Sequence, residues 1–594
     1  MGASLREKAQ ILQMKRSIAT VFVSVVVLGA VAVKGVAAPP DLTAGGTPTS
    51  TRTQNLGPTG MRGWVYATTH APDPTSESRQ ILVTEIDAGS PAAGTVATND
   101  VIIGAAGTGT VPVVFTADAR RGLAQAIAEA EARDPATLDL LVWRAGVTNT
   151  LPIMLRPMGA YSATAPYHCP KSSKILQEGL QQLFDNETSG RYSFGAMALL
   201  ASTNIAYQAR VQSEARALIP TTEQMAAMVS DERSTASCWG RGYELLFQAE
   251  YYLATGDTNV LPSIEARAIE IARNQSLFGT LGHIFAEKND DGSDNGSMGG
   301  GYGVINTPGL NCFLGIQLAR ECGVTNAYIE PAIERCSRFF AYFAGRGTIP
   351  YGEHTPYVNY RGSNGKNAVA ALAFSLQTNR LEACHYFSKL CATSDKARES
   401  GHTGPFFEYL WAPLGANAGG EAAAASFFNR IRWHLDLQRR WDGAFAYDNL
   451  ASDGGEGNGN RYYDFNMTAA AMLTYALPFR RLHVTGANQD TNQWLSAGDV
   501  AEIAWAAGYD PTARSDAELI SDLDNWSPVL THDAALELGN RSINSTELNQ
   551  IIALAEDTNG MARVGACDAL GWIGDSGGLN TLATLLTDGE DHVR

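Results

Sequence analysis

The stretch GLNCFLGIQLARECG at residues 309–323 is apolar on almost every side when it is wound into a helix. A helix that is apolar all round is buried inside a large protein. Four more segments share this character: YSFGAMALLAS at 192–202, GYELLFQAEYYLATGD at 242–257, KNAVAALAFSLQ at 366–377 and FNMTAAAMLTYAL at 465–477. Segments with one polar face lie between several of them, at 260–275, 328–345 and 426–440. The alternation predicts paired inner and outer helices over residues 160–485, in a ring or a solenoid.

Three of the outer segments end in similar turns, at residues 279–283, 347–354 and 443–448. Two of these turns follow a glutamine, Gln275 or Gln438. The order glutamine, glycine, then an apolar or aromatic residue resembles the QW-type turn of α/α-toroid proteins such as terpene cyclases and protein prenyltransferase β-subunits, with Leu or Phe in place of Trp. This resemblance implies an α/α toroid whose connecting loops surround one end of a central cavity.

Residues 57–157 contain short β-rich runs, with a helical segment at 117–133 between them. The segment GSPAAGTVATNDVIIGAAG (89–107) resembles a PDZ domain of the exported bacterial type, with Asn99-Asp100 in place of the usual Gly-Asp pair. The resemblance implies a groove that binds a peptide C-terminus as an added strand. The residues expected to form its carboxylate-binding loop are Gly60, Met61, Arg62 and Gly63. The alternative for this loop is a simple turn that leads into a strand.

Residues 515–594 form a third segment, which contains two helical copies with Leu538-Gly539 and Leu570-Gly571 at equivalent places. They resemble HEAT-like repeats of the phycobilisome-lyase type and imply an α-solenoid. The end of the chain at Arg594 suggests a truncated repeat array, with a two-unit cap as the alternative. The predicted fold class is therefore multidomain and mainly α: a PDZ-like β/α domain, an α/α toroid and a C-terminal HEAT-like solenoid. This order resembles an uncharacterised family of exported bacterial proteins, which supplies an architecture but no activity.

The N-terminus has the pattern of a secretory signal. Lys15 and Arg16 precede an apolar run at 18–33, and the small residues Ala37 and Ala38 follow it. We expect a signal peptide at 1–38, a flexible linker at 39–56 and a periplasmic or extracellular protein. An uncleaved membrane anchor is the alternative. No later segment is apolar enough to span a membrane.

The charge and cysteine content narrow the choice of partners and cross-links. The net charge of −17, from 44 basic and 61 acidic side chains, opposes binding to nucleic acid, which requires basic clusters. Eight widely spaced cysteines do not form the pattern of a small disulfide scaffold and leave room for one or two bridges.

The glycine-rich stretch NDDGSDNGSMGGGYGVIN at 289–306 contains a weak calcium pattern. Asp291, Ser293 and Asn295 have the oxygen spacing of a calcium loop, but Tyr302 stands where a bidentate carboxylate is required. We therefore predict no cofactor, with calcium as a weak candidate. The alternative is a solvated connection that leads into the helix at Gly309.

Polar residues of the connecting loops are expected to converge at the toroid mouth. The acid–base candidates are Asp291, Glu353, His354 and Asp448. The other pocket candidates are Asp290, Asp294, Tyr302, Asn306, Tyr357, Lys366, Asn367, Asp442 and Asp464. Paired carboxylates at such a mouth could act as acid and base on a glycosidic bond.

Two functions follow from these patterns. The first is an exported binding or scaffold protein that captures peptide C-termini in the PDZ-like groove and carries a ligand pocket in the toroid. The alternative is a carbohydrate-active hydrolase or lyase that acts on polysaccharide at the toroid mouth. The sequence leaves open whether the protein is an enzyme.

Overall fold

The computed structural model describes residues 42, 53–67, 75–186, 191–230, 234–289, 293–298, 303–352, 356–359, 363, 365–398, 406–446 and 466–594. The predicted signal peptide at 1–38 lies outside the described residues. Contacts divide the chain into two compact units. One comprises residues 1–39 and 145–147, and the other comprises residues 40–144 and 148–594. The interactions described below join residues of the second unit, and Val147 is named only as the first residue of a strand.

The N-terminal part of this unit is an antiparallel sheet, which we call the sheet region (residues 53–158). Its strands are β1 (Thr53–Asn55), β2 (Met61–Val65), β3 (Ile81–Ile86), β4 (Val101–Ala106), β5 (Val113–Val114), β6 (Ala136–Arg144) and β7 (Val147–Leu155). The strand order is β1-β2-β3-β4-β6-β7, and β5 pairs with β4. Helix α1 (Ala119–Glu131) begins at Asp118, whose side chain accepts a hydrogen bond from the Arg120 amide, and packs on β4 and β6.

The alternating pattern correctly predicted five of these strands and α1. Two strands were not predicted: the two-residue β5, and β1, which lies inside the segment 39–56 that was expected to be a linker. Its residues pair antiparallel with β2, so that Thr53, Gln54 and Asn55 lie opposite Trp64, Gly63 and Arg62. The sheet therefore begins before the expected domain boundary at residue 57.

The remainder of the unit is mainly helical. The helices of the helical region (residues 170–485) are α2 (Pro170–Asn186), α3 (Phe194–Ala201), α4 (Gln208–Ala217), α5 (Thr222–Met228), α6 (Cys238–Thr255), α7 (Leu261–Arg273), α8 (Asn306–Glu321), α9 (Ile329–Ala341), α10 (Lys366–Ser375), α11 (Leu381–Thr393), α12 (Phe406–Ala418), α13 (Glu421–Gln438) and α14 (Met467–Tyr475). A short hairpin of β8 (Ala286–Lys288) and β9 (Asp294–Met298) lies between α7 and α8.

Six of these helices contact one another in a cyclic order. Helix α3 contacts α6, α6 contacts α8, α8 contacts α10, α10 contacts α12, α12 contacts α14, and α14 contacts α3. Every residue of α3, α12 and α14 is buried. The apolar pattern predicted five of the six, and it missed α12. The amphipathic helices α7, α9 and α13 pack outside them, against α6, α8 and α12 respectively.

The C-terminal region contains α15 (Ala497–Ala507), α16 (Asp516–Asp522), α17 (Pro528–Gly539), α18 (Ser545–Leu554), α19 (Gly560–Ile573) and α20 (Leu579–Leu585). Helix α17 packs on α16 and α19, and α18 packs on α19. Helix α15 lies before the predicted start at residue 515 and contacts α11 and α13. Near the end of the chain, the Tyr342 hydroxyl donates to Asp591 at 3.0 Å, which joins this region to the segment after α9.

All eight cysteines are free thiols, and seven of them are buried. Burial raises the pKa of Cys336 and of Cys384 to about 12, so both are protonated thiols at neutral pH. Among the helices that the structure describes, none has the length and apolarity of a membrane span.

Candidate functional site

Three of the residues predicted to form a mouth lie at the start of helices α8 and α10. Asn306 is the first residue of α8, and Lys366 and Asn367 are the first two residues of α10. All three side chains are buried. Asn306 and Asn367 both contact one turn, residues 348–352, which belongs to the second of the QW-like turns.

The contacts of these residues are structural. The Asn306 side-chain amide donates to the Pro350 and Gly352 carbonyls at 3.0 and 2.6 Å. The side-chain oxygen of Asn367 accepts a hydrogen bond from the Ile349 backbone amide at 3.0 Å. These bonds hold the turn against the ends of α8 and α10. The Asn306 side-chain nitrogen and the Asn367 side-chain oxygen are thus used for folding, whereas the buried Asn306 side-chain oxygen has no partner among the described residues.

Tyr357 closes the same turn from the other side. It forms an isolated bridge with Thr348, in which each amide donates to the other carbonyl at 2.8 and 3.0 Å. Similar bridges join Ser237 to Ile284 and Arg439 to Phe445, near the other two QW-like turns. The bridges Thr348–Tyr357 and Arg439–Phe445 close local loops, whereas Ser237–Ile284 joins two distant segments.

Asp442 belongs to the third turn. Its carboxylate accepts from the Ala444 amide at 3.1 Å and pairs with Arg440 at 3.4 Å. Arg440 and the Trp441 indole both reach Asp87 of the sheet region, at 3.1 and 3.0 Å. This turn therefore joins the helical region to the sheet region.

The remaining mouth candidates lie outside the described residues; they are Asp290, Asp291, Tyr302, Glu353, His354, Asp448 and Asp464. The side chains of Asp294 and Asn295 also lie outside them. Of the calcium candidates, the side chain of Ser293 is described, and its hydroxyl accepts from Asn289 at 2.9 Å. Among the described residues no group of three His, Cys, Asp or Glu side chains could hold a metal. The stretch also contains β9, which the sequence analysis did not predict.

Lys366 has the most unusual chemistry of the described candidates. Its ammonium group is completely buried and donates to the Ser363 carbonyl at 2.7 Å. Burial lowers the pKa of Lys366 to about 7, and burial raises the pKa of Glu408 nearby. Glu408 accepts from the Gly365 amide and the Ser394 hydroxyl, at 2.8 and 3.2 Å. An amine with such a pKa can act as a base or nucleophile, but this one is enclosed by the helices.

Aromatic side chains meet between the first turns of α3, α6 and α12. The Trp239 and Phe407 rings stack at 5.5 Å, and the Tyr243 and Trp411 rings stack at 6.2 Å. Phe194 meets the edge of Tyr243 at 5.0 Å. Tyr243, Phe407 and Trp411 are at most 2% exposed. The described centre of these helices is therefore filled with side chains.

The predicted peptide loop lies at the start of β2. Met61 is fully buried, and its backbone amide donates to the Thr59 hydroxyl. The Gly60 carbonyl accepts a hydrogen bond from the Asp87 backbone amide. The Arg62 guanidinium donates to the Thr53 carbonyl at 2.9 Å, and Gly63 lies opposite Gln54. Strand β2 is paired with β1 on one side and β3 on the other. Strand β1 thus occupies the edge at which the resemblance to a PDZ domain predicts that a peptide would add.

Strand β1 is held on its far side as well. The Gln54 carbonyl oxygen of the side chain accepts from Arg120 of α1 at 3.1 Å. The Asn55 side chain donates to the Leu437 carbonyl at the end of α13 at 2.5 Å. Gln54 and Asn55 are only 2% and 4% exposed. The helical region therefore covers the strand that fills this position.

A cavity of about 510 Å³ was missed by the sequence analysis. It lies where α3 and α6 end and α4 begins, and Arg481 contributes from the segment after α14. Its lining comes from three stretches that are far apart in the sequence. The only local signals were a turn around Asp257 and the pair Arg480-Arg481, and neither identifies a site alone.

The described features define a mainly helical protein with an N-terminal antiparallel sheet. A family model described as "Domain of unknown function (DUF6288)" matches residues 172–486, which is just over half of the chain. The chain belongs to that family, whose matched range coincides with the helical region. No curated protein and no solved structure matches the chain.

Proposed function

We propose that this DUF6288 protein is an exported binding and scaffold protein. In this proposal α3, α6, α8, α10, α12 and α14 are the inner ring of an α/α toroid. The sheet region is a PDZ-like module, and the C-terminal helices are HEAT-like repeats. The cyclic order of helix contacts supports the ring, and the N-terminal sequence supports export.

The observation that carries the proposal is the filled centre of the helical region. A hydrolase built on a toroid needs a central cavity that admits its substrate, whereas a scaffold needs a rigid core. The stacked rings of Trp239, Tyr243, Phe407 and Trp411 occupy the described centre. The engaged polar atoms of Asn306, Asn367 and Asp442 also favour a structural role over hydrolysis of polysaccharide.

The PDZ-like groove would be regulated by the chain itself. Strand β1 occupies the position at the edge of β2 where a peptide would add. A peptide C-terminus could therefore bind at Gly60–Gly63 only after β1 leaves. Displacement of β1 would also break the contacts of Gln54 and Asn55 with α1 and α13. Peptide binding would then be coupled to the contacts between the sheet region and the helical region.

The experiment compares Gln54→Pro with Gln54→Ala in the full chain. Both substitutions remove the contact with Arg120, but only proline removes the backbone amide that pairs in the ladder. Fluorescent peptides with a free C-terminal carboxylate and an apolar last residue serve as probes, and their amidated forms serve as controls. We expect binding of the free-carboxylate peptides to Gln54→Pro only.

Equal binding of amidated and free peptides would exclude a carboxylate loop at Gly60–Gly63. Absence of binding to a Gln54→Pro protein that keeps its circular dichroism spectrum would exclude peptide capture by this groove. The scaffold role of the helical region would then remain as the proposal, without a peptide partner at the sheet.

A further inference from the structure

The cavity beside α4 has the size of a small-molecule site. Its volume of about 510 Å³ falls inside the range of roughly 300–1,000 Å³ that is typical of ligand pockets. Among its described lining residues, only Asp257 and Arg481 carry a full charge at neutral pH. The chemistry of the ligand depends on whether these two charges are already compensated.

Asp257 is fully engaged with the protein. Arg216 binds its two carboxylate oxygens at 2.9 and 3.1 Å, and the Tyr251 hydroxyl donates to it at 2.8 Å. The amide and the side chain of Asn259 donate to it as well. The hydrogen bond from Arg216 is the main cause that lowers the pKa of Asp257. This carboxylate is therefore a permanent anion with no lone pair left for a ligand, which disfavours ligands that carry an ammonium group.

Arg481, unlike Asp257, is not compensated by the residues that the structure describes. Its Nε is buried and has no hydrogen-bond partner among the described residues, and the chain offers it no ion pair within that part of the structure. The side chain as a whole is half-buried and lines the cavity, so its guanidinium can offer hydrogen-bond donors to an acidic group there. The neighbouring Arg480 differs, because it donates to the Gly486 and Gln489 carbonyls.

The rest of the lining is uncharged and combines apolar side chains such as Leu200 and Val211 with polar ones. Thr203 and Gln208 contribute a hydroxyl and an amide, each of which both donates and accepts. Such groups match the hydroxyls of a sugar, and the fork of an arginine matches a carboxylate. We propose that this cavity binds a hydroxylated carboxylate of the sugar-acid class, with its carboxylate on Arg481. The proposal is independent of the proposed peptide and scaffold function.

Isothermal titration calorimetry of the full chain with D-glucuronate tests the proposal, and D-glucose is the uncharged probe. We expect glucuronate to bind at least about tenfold more tightly than glucose, because a charge-assisted hydrogen bond is lost with glucose. Arg481→Gln should weaken glucuronate binding by a similar factor. Ala209→Trp should abolish it by filling the cavity from α4, where Ala209 is an exposed lining residue. Arg133→Gln makes the same charge change at an exposed position outside the cavity and should have no effect.

Each other outcome overturns the proposal. Equal affinity for glucose and glucuronate would remove the carboxylate from the recognition. Glucuronate binding that Arg481→Gln weakens but Ala209→Trp leaves unchanged would place the anion outside this cavity. No measurable binding of glucuronate to the unmodified chain would exclude the sugar-acid class.

Discussion

The ammonium group of Lys171 lies 2.9 Å from the Glu131 carboxylate, and neither side chain is more than 1% exposed. Arg439 contacts the same carboxylate oxygen at 2.7 Å, and Asp436 lies 3.6 Å from Lys171. Two acids and two bases thus form a buried, neutral cluster between α1, α2 and α13. Burial raises the pKa of Glu131, but the charges of Arg439 and Lys171 outweigh it and hold the pKa below its ordinary value of 4.5.

Replacing one member of this cluster should strongly destabilise the protein. Glu131→Gln leaves a net positive charge buried, and loss of one partner from a buried ion pair costs about 3–5 kcal/mol. Denaturant unfolding measures the change in the free energy of unfolding. Glu129→Gln on the same helix is the control, because Glu129 is exposed and should change that free energy by less than about 0.5 kcal/mol. Equal effects of the two variants would contradict a stabilising role for the cluster.

The first QW-like turn requires glycine for two separate reasons. Gly279 has a φ of +82°, and a Cβ there would lie 2.6 Å from the Arg335 carbonyl carbon. Gly256, which ends α6, has a φ of +72° with nothing within 4 Å. We expect Gly256→Ala to cost about 1 kcal/mol from the backbone alone. Gly279→Ala should cost about 1–3 kcal/mol more, because α9 must move. A pair of equal shifts in melting temperature would mean that α9 does not press on this turn.

Asn306 should be a stability residue of the predicted mouth. Asn306→Ala removes the donor for the Pro350 and Gly352 carbonyls, and each unsatisfied buried acceptor costs about 1–3 kcal/mol. Thermal unfolding measures the loss, and limited proteolysis should find new cleavage at 348–352. The control Asn580→Ala changes an exposed asparagine of α20. An Asn306→Ala protein with normal stability and an intact turn would contradict the anchoring role.

The C-terminal region should lose stability as the pH rises. The hydrogen bond from His532 to Asp568, at 2.7 Å, raises the pKa of His532 above its ordinary value of 6.5. The pair therefore stabilises the fold fully below the unfolded-state pKa, and this contribution is lost as the pH rises through the higher folded-state pKa. The stability difference between the unmodified protein and Asp568→Asn should be largest near about pH 6 and should shrink toward about pH 9. A difference that is constant with pH would mean that Asp568 does not raise the pKa of His532 in the folded state.

Much of the fold could be predicted because local patterns agree with it. Alternating apolar residues predicted β3 and β6, and apolar sequences predicted the buried helices α8 and α10. Helix α12 was missed because Pro413 lies inside it, and proline normally interrupts a helix. Strand β1 was missed because its sequence is polar and it is held by β2, α1 and α13 rather than by an apolar pattern of its own.

The site was less predictable than the fold. The sequence predicted a common mouth for Asn306, Lys366 and Asn367, of which Asn306 and Asn367 contact one turn. It could not indicate that two of these side chains bind the backbone of a turn, since a buried anchor and a ligand contact use the same residue types. The cavity at Arg481 was missed because its walls come from distant segments, and no local pattern joins them.

The tether between β1 and β2 sets a threshold for any outside ligand of the sheet. Residues 56–60 keep β1 beside its partner strand, so its effective concentration there is on the order of millimolar or above. A free peptide of equal intrinsic affinity would have to exceed that concentration to take its place. Dilute free peptides would therefore not displace β1 from the sheet. Displacement would require a partner that is itself held nearby, or a force that pulls on the N-terminus.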